Sequence, residues 1–380
     1  MGLRILVAPD KLKATLAAEP AARALATGWL RGRPGDHPTL LPISDGGDGF
    51  GELVGKALQA EEREIPTVDA AGRPVIGKFW WVEAERLAII ESARVIGLAL
   101  LPPGQYHPFE LDTTGLAQVL TEAARLRPKR CIIGIGGSAT NDGGFGFAQA
   151  LGWKFLAPDG HQITRWTELA ALSRIAPPEE QLALGKVQIA VDVQNPLLGP
   201  IGASRVYGPQ KGLRSPDFAQ AEACLAALAR QAQDSLGWDQ PHDTQPGSGA
   251  AGGLGFGLHA FLGGELVSGF GLFAAITDLK GAIREADIVL TGEGSIDRTT
   301  IEMGKGVGGL AALCRKERVP CLGFAGSVDI EEEGRRAFDG IWGIVPELAN
   351  RQQAMQSPAY YLEILAEKAA RAWNLTSPPC

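Results

Sequence analysis

The chain has 380 residues, 45% of them apolar and 21% charged, with a formal net charge of −7. That length predicts two or three domains, and an acidic balance without a lysine or arginine stripe argues against a nucleic-acid partner. The five cysteines are scattered and never form a C-x-x-C pair, no histidines stand in H-E-x-x-H spacing, and no apolar run is long enough to span a membrane. Neither a disulfide framework nor a zinc site is expected, and MGLRILVAPDK turns polar too soon for a signal peptide, so the expectation is a soluble cytoplasmic protein.

LRILVAP is predicted as a buried strand, DKLKAT as a polar turn, and LAAEPAARALATGWL as a helix with Ala22, Leu25 and Trp29 on one face. Pro20 is compatible with that helix because it falls near the first turn. TLLPIS is a second short strand that runs into DGGDGFGELVGKAL, a glycine turn opening a helix. Between residues 64 and 92, EIPTVDA, RPVIGKFWWVE and RLAIIES read as an antiparallel meander. TTGLAQVLTEAARL is an amphipathic helix with a threonine cap. RCIIG is a buried strand feeding GIGGSATNDGG (134–144), followed by a helix from Phe145 to Leu151 and a strand at VQIAVDV. Further helices are expected near 216–233 and 249–263.

From residue 284 strands alternate with helices again: ADIVLTG, VPCLGFAG and FDGIWGIVP are strands, with KGVGGLAALCRKE as a helix between the first two. With the two N-terminal βα units they predict an α/β fold of two α/β domains. Residues 1–62 and 284–380 form a doubly wound, flavodoxin- or Rossmann-like parallel sheet, and residues 63–283 form an inserted mixed α/β domain.

Glycine is the unusual residue: 50 positions in 380, about twice the ordinary share. The glycines cluster in five polar turns, each at the carboxyl end of an apolar run. The turns are APDKLKAT (8–15), SDGGDG (44–49), GIGGSATNDGG (134–144), VDVQNPLLGP (191–200) and TGEGSIDRTT (291–300). Open α/β sheets bind ligands beyond the carboxyl ends of their strands. Together the turns offer Asp10, Lys11, Lys13, Asp45, Asp48, Asp142, Asp192, Glu293 and Asp297. Taken singly, each aspartate has a plainer reading as a helix cap or turn residue. Lysines, carboxylates and side-chain-free backbone together are what phosphoryl transfer uses: N–H groups and lysine for phosphate, carboxylates for Mg²⁺ and for the attacking hydroxyl's proton.

Two other motifs are weaker. Gly72 to Phe79 fits G-x-x-x-x-G-K but has Phe79 where a P-loop needs Ser or Thr, and it sits between extended runs. Gly134-x-Gly136-x-x-Ala139 imitates a dinucleotide fingerprint, yet Lys154 stands about 20 residues on, where the ribose-binding acid belongs. The glycine-rich helix of 246–264 is expected to serve close packing, His259 to be structural, and Lys211 in YGPQKG to be a solvated turn lysine.

APDKLKATL, PISDGGDGF, GIGGSATNDGG, VDVQNPLLGPIGASRVYGPQKG, GSGAAGGLGFGLHAFLGGEL, ADIVLTGEGSID and FAGSV, in this order, resemble the bacterial glycerate kinase family of the first, non-P-loop type. The resemblance runs over nearly the whole chain. It implies transfer of the γ-phosphate of ATP to D-glycerate with Mg²⁺, and two α/β domains with the active site in the cleft between them. It leans to the 2-hydroxyl, with a 3-kinase as the alternative, and a homodimer is left open. Two departures stand out: Lys11 and Leu12 replace the usual Ser and Phe, and DGGDG replaces DGGEG, which shortens the reach at Asp48 by about 1.5 Å.

Asp192, at a strand end just before the Asn195-Pro196 turn, is the first choice for the base and Asp45 the second, with Lys13 neutralising the transferred group or the glycerate carboxylate. Gly136, Gly137, Ser138 and Asn141 would cradle ATP phosphates. Asp10, Lys11, Gly46, Gly47, Asp48, Asp142 and Asn195 complete the substrate or phosphate set, and Glu293 and Asp297 would hold Mg²⁺. An NAD-dependent oxidoreductase and a non-catalytic sensor of small organic acids are the rival classes.

Overall fold

The structure is a computed structural model that describes residues 2–12, 15–302, 304 and 306–373. In chain order its strands are β1 (Arg4–Val7), β2 (His37–Leu40), β3 (Glu61–Val68), β4 (Pro74–Val82), β5 (Leu87–Glu91), β6 (Arg130–Gly134) and β7 (Lys154–Leu156). The remaining strands are β8 (Arg174–Ala176), β9 (Lys186–Ala190), β10 (Glu265–Val267), β11 (Ile288–Asp297), β12 (Cys321–Asp329) and β13 (Gly340–Val345). Among the described residues no helix is long and apolar enough to cross a membrane.

Residues Met1–Asp45 and Phe270–Cys380 form one compact unit. Its sheet is wholly parallel, in the order β2-β1-β11-β12-β13. Counted within the unit this is 2-1-3-4-5, the flavodoxin-like order, with the reversal between β1 and β11. ILV, IVL and CLGF are unbroken runs without a polar side chain because a parallel sheet is covered on both faces. Ile5, Val7, Ile288, Leu290, Leu322 and Phe324 share a core with Leu25, Trp29, Leu362 and Leu365 of the helices Ala18–Gly32 and Pro358–Ala372. Alternation turns Leu6 and Val289 to the other face, where Leu279–Glu285 and Gly306–Glu317 pack. Trp29 is fully buried, and its ring N–H donates to Asp36 at 2.9 Å, so its one polar atom is satisfied.

Residues Gly46–Gly269 form the second unit. Its six-stranded sheet runs β3-β4-β5-β6-β9-β10. The predicted meander is present: β3, β4 and β5 pair antiparallel, and β5, β6, β9 and β10 follow in parallel. The P-loop mimic of 72–79 is indeed part of the meander, running into β4. β7 and β8 make a separate antiparallel pair.

The boundaries therefore differ from the expected 62/63 and 283/284. The helix Phe50–Ala57 lies on β4, β5 and β6, against the Trp80 ring, which carries it into the second unit. Leu279–Glu285 packs beside β1, which carries it into the first. The expected threonine cap is also corrected. The helix Leu116–Arg125 begins without a side-chain cap, because Thr113 spends both its N–H and its hydroxyl on Asp142.

Leu25 is fully buried between the parallel sheet and the Pro358–Ala372 helix. Leu25→Ala is expected to lower the stability of this unit by about 2–5 kcal/mol, read from the urea-unfolding midpoint.

Candidate active site

The parallel half of the second unit's sheet brings the carboxyl ends of β5, β6, β9 and β10 to one edge. Glu91 closes β5, Gly134 opens the 134–144 loop after β6, Asp192 follows β9, and Ser268 follows β10. Asp192 is only 8% exposed, and its Oδ1 accepts from the Ser268 hydroxyl at 2.8 Å and the Gly269 N–H at 3.0 Å. One carboxylate oxygen is thus pinned by two donors from the neighbouring strand end. That fixes the plane in which the carboxylate stands.

The 134–144 loop is bare because another backbone lies on it. The Gly136 N–H donates to the Gly46 carbonyl at 3.2 Å, and a Cβ on Gly136 would stand 2.4 Å from the Gly47 Cα. Gly137 has φ +82°, and a Cβ there would fall 1.7 Å from Asp48 Oδ1. The glycine turn of 46–49 is itself anchored by Glu91, whose buried carboxylate accepts the N–H groups of Gly49 (2.9 Å) and Gly51 (3.0 Å). Burial pushes the Glu91 carboxyl above its ordinary range, against the opposing pull of Arg94 and these two N–H groups. Glu91 closes a strand written LAIIE, and only its neighbours in space show what it does. Gly137 and Asp48 are the exposed members of the paired turns.

Several predicted ligand groups turn inward instead. Asp142 is fully buried and accepts from the Thr113 N–H (2.9 Å) and hydroxyl (2.7 Å) and from the N–H groups of Gly144 (3.2 Å) and Gly146 (2.9 Å). It is a structural acceptor, and burial raises its carboxyl above the usual range. Asn141 is also fully buried, with Nδ2 donating to Ser204 Oγ at 3.0 Å. The Ser138 hydroxyl is paired with that of Thr140 at 2.9 Å. Asn195 is consumed within its own turn: Nδ2 donates to the Ile201 carbonyl (2.8 Å) and Oδ1 accepts from the Tyr207 hydroxyl (2.5 Å). These bonds shape the loops, and the buried Asn141 Oδ1 has no hydrogen-bond partner among the described residues.

Lys211 corrects the sequence reading in the opposite direction. It ends the helix Ala203–Lys211, is 6% exposed, and donates from Nζ to the Thr140 carbonyl at 2.6 Å. Burial lowers its pKa to about 7, with Asp142 the charge that opposes the shift. The glycine-rich segment behaves as expected: Ala251, Gly252 and Gly253 are left-handed, and a Cβ on Gly252 would stand 1.9 Å from the Thr140 carbonyl oxygen. His259 pairs with His242 at 2.6 Å and stacks on it, a structural arrangement.

In the first unit, Asp10 lies past the carboxyl end of β1, its N–H on the Gly292 carbonyl of β11 at 2.8 Å. This is the reversal point of the strand order. Burial, then the neighbouring Asp45 and Glu293, push the Asp10 carboxyl well above the usual range, while the backbone N–H and ammonium of Lys11 oppose them. Glu293 Oε1 accepts from the Thr300 hydroxyl at 2.9 Å. Asp297 builds a turn with one of its oxygens. Its Oδ1 accepts the N–H (2.8 Å) and hydroxyl (2.6 Å) of Thr299 and the N–H of Thr300 (3.1 Å), forming the turn into Arg298–Glu302. Burial pushes its carboxyl up, but these bonds outweigh it and leave it lowered. Among the described residues no three His, Cys, Asp or Glu stand close enough to cage a metal. Lys13 lies outside the described residues.

A family model described as the glycerate kinase family matches residues 5–374. The chain belongs to the glycerate kinase family. It is 36% identical over 380 residues to a glycerate kinase of Halalkalibacterium halodurans, covering 97% of this chain and 98% of that one. It is 33% identical over 360 residues to the glycerate 2-kinase of Escherichia coli K12, covering 93% of each. A crystal structure assigned as glycerate kinase 2 of Salmonella typhimurium LT2 superposes with a TM-score of 0.79 at 30% identity, covering 98% of both chains. The family's chemistry makes this chain a kinase acting on glycerate, and it sets aside the oxidoreductase and sensor readings.

The paired turns have no room for a side chain at Gly136. Gly136→Ala is expected to separate them and lower kcat/KM on the order of 10²-fold, while circular dichroism stays that of the folded protein. Unchanged kcat/KM would mean that the contact between the turns is irrelevant to turnover.

Proposed function

We propose that this kinase transfers the γ-phosphoryl group of ATP to the 2-hydroxyl of D-glycerate, with Mg²⁺. The observation that carries the reading is Asp192: a carboxylate at a strand's carboxyl end, held in one orientation by Ser268 and Gly269, beside the paired glycine turns. A base must be aimed before it is useful, and two donors on one oxygen aim it. Asp192 takes the proton of the attacking glycerate hydroxyl, with Asp45 as the second candidate.

The exposed Gly137, bare of a side chain, lets main chain of the second unit approach the phosphates of ATP. Lys11 and Lys13 supply positive charge to the transferred group or to the glycerate carboxylate. Glu293, with Asp10 and Asp297 near it in the chain's first unit, would hold Mg²⁺, which would neutralise charge on the phosphates when bound. They fit such an ion by their donor chemistry and place: Asp10 follows β1 with its N–H on the Gly292 carbonyl of β11, and burial, then the charges of Asp45 and Glu293, raise its carboxyl, a charge that a cation would relieve. Mg²⁺ in kinase sites takes one or two carboxylates plus phosphate oxygens and waters, so a closed protein cage is not required. The choice of the 2-hydroxyl follows the Escherichia coli relative, which is named a glycerate 2-kinase.

The test is a coupled assay with D-glycerate, Mg-ATP, enolase, pyruvate kinase and lactate dehydrogenase, with no added phosphoenolpyruvate. NADH consumption without phosphoglycerate mutase is expected and establishes the 2-kinase. Consumption only after the mutase is added would make the product 3-phosphoglycerate. In the same assay Asp192→Asn is expected to lower kcat by about 10²–10⁴-fold with the fold intact. Near-normal turnover by that variant would remove Asp192 as the base.

A further inference from the structure

The helix Ala203–Lys211 touches two loops that the chain reaches separately. Ser204, Tyr207 and Lys211 stand at i, i+3 and i+7, on one face of that helix. Ser204 Oγ accepts from Asn141 Nδ2 at 3.0 Å, and Lys211 Nζ donates to the Thr140 carbonyl at 2.6 Å. Two successive residues of the 134–144 loop are therefore held from one helix face, two turns apart. Between these contacts the Tyr207 hydroxyl donates to Asn195 Oδ1 at 2.5 Å. Asn195 in turn closes the 191–202 loop through the Ile201 carbonyl at 2.8 Å, and Asp192 lies three residues before it.

We propose that this helix is a clasp that sets the 134–144 loop and the Asp192 loop in register with one another, with Lys211 and Tyr207 as its positioning residues.

Three features support this. A lysine buried to 6% exposure is costly to keep unless its donors do specific work, and its bond goes to a main-chain carbonyl of the glycine loop. Its pKa, lowered to about 7 by burial and opposed by Asp142, marks a group taken out of water to reach that carbonyl. From the other side the left-handed Gly252 packs its backbone onto the same Thr140 carbonyl oxygen, so the loop is gripped at one residue from two elements. Neither Lys211 nor Tyr207 touches a reacting atom in this scheme. Each acts through a loop, Lys211 on the one that meets the nucleotide and Tyr207 on the one that carries the base.

The inference rests on the reading that the 134–144 loop takes ATP, and its test separates the two. Lys211→Met and Tyr207→Phe are compared with wild type in KM for ATP, KM for D-glycerate and kcat, with Gly136→Ala measured alongside as a direct disturbance of the loop. Lys211→Met is expected to raise the ATP KM about tenfold or more with the D-glycerate KM within about twofold of wild type. Tyr207→Phe is expected to lower kcat about tenfold with the ATP KM unchanged. Should Lys211→Met fail to fold, Ser204→Ala removes the second grip without unburying a charge and carries the same expectation for ATP. A folded Lys211→Met or Ser204→Ala with a wild-type ATP KM overturns the clasp, provided that Gly136→Ala has raised it. If Gly136→Ala also leaves the ATP KM untouched, it is the nucleotide reading of the loop that fails. A uniform loss of activity in proportion to unfolded protein, with both KM values unchanged, reduces the helix to a scaffold and overturns the proposal as well.

Discussion

Everything at the carboxyl edge of the mixed sheet depends on two glycine turns touching backbone to backbone. The Gly47 Cα occupies the place where Gly136 would carry a Cβ, 2.4 Å away, and the Gly46 carbonyl accepts the Gly136 N–H. No side chain fits in that contact. Once it forms, the turn after β2 is locked to the turn after β6, and Glu91 fastens the far side through the N–H groups of Gly49 and Gly51. A polar, conformationally free pair of loops becomes a single rigid surface, with Gly137 and Asp48 at its exposed tip. The bareness of the loop serves its neighbour first, and that rigidity is what a loose phosphoryl-transfer transition state asks of a protein.

The buried polar groups beneath this surface follow one rule. Asp142, Asn141, Ser138 and Lys211 sit where water is excluded, and each is bonded to main chain or to another side chain of the same small region. A buried carboxylate that accepts four bonds is not available to a ligand, but it makes the loop's shape costly to change. The second unit thus separates its polar residues by depth. The inner ones define geometry, while Asp192 is held at the sheet edge by Ser268 and Gly269. The first unit places Asp10 at the reversal of its strand order, where burial, then the charges of Asp45 and Glu293, raise its carboxyl above the usual range.

Much of this was readable from the sequence because it depends on local pattern. Unbroken apolar runs mark strands buried on both faces, so β1, β11, β12 and β13 were predicted together with their parallel sheet. Short extended runs separated by Ala-Gly and Glu-Arg turns between residues 64 and 92 mark the meander, since such turns join strands that neighbour each other in the sheet. The motifs that carry the family resemblance are contiguous and run in chain order, and the whole-chain family match agrees with them.

What the sequence could not decide was depth and partnership. Asp142 and Asp192 are each an aspartate in a polar turn after a strand, and nothing local separates the acceptor buried beneath the loop from the one held at the sheet edge. Lys211 in GPQKG reads as a solvated turn lysine until the chain folds and the Thr140 carbonyl arrives 2.6 Å from its Nζ, 71 residues distant in sequence. The unit boundary moved for the same reason: the helix Phe50–Ala57 follows β2 in the chain but packs on β4, β5 and β6. Composition, periodicity and motif order determined the elements, their parallel or antiparallel sense and the family, because each is written in neighbouring residues. Which polar side chains face a ligand and which hold the loops was decided only by tertiary structure, because burial and hydrogen-bond partners are properties of residues far apart in the chain.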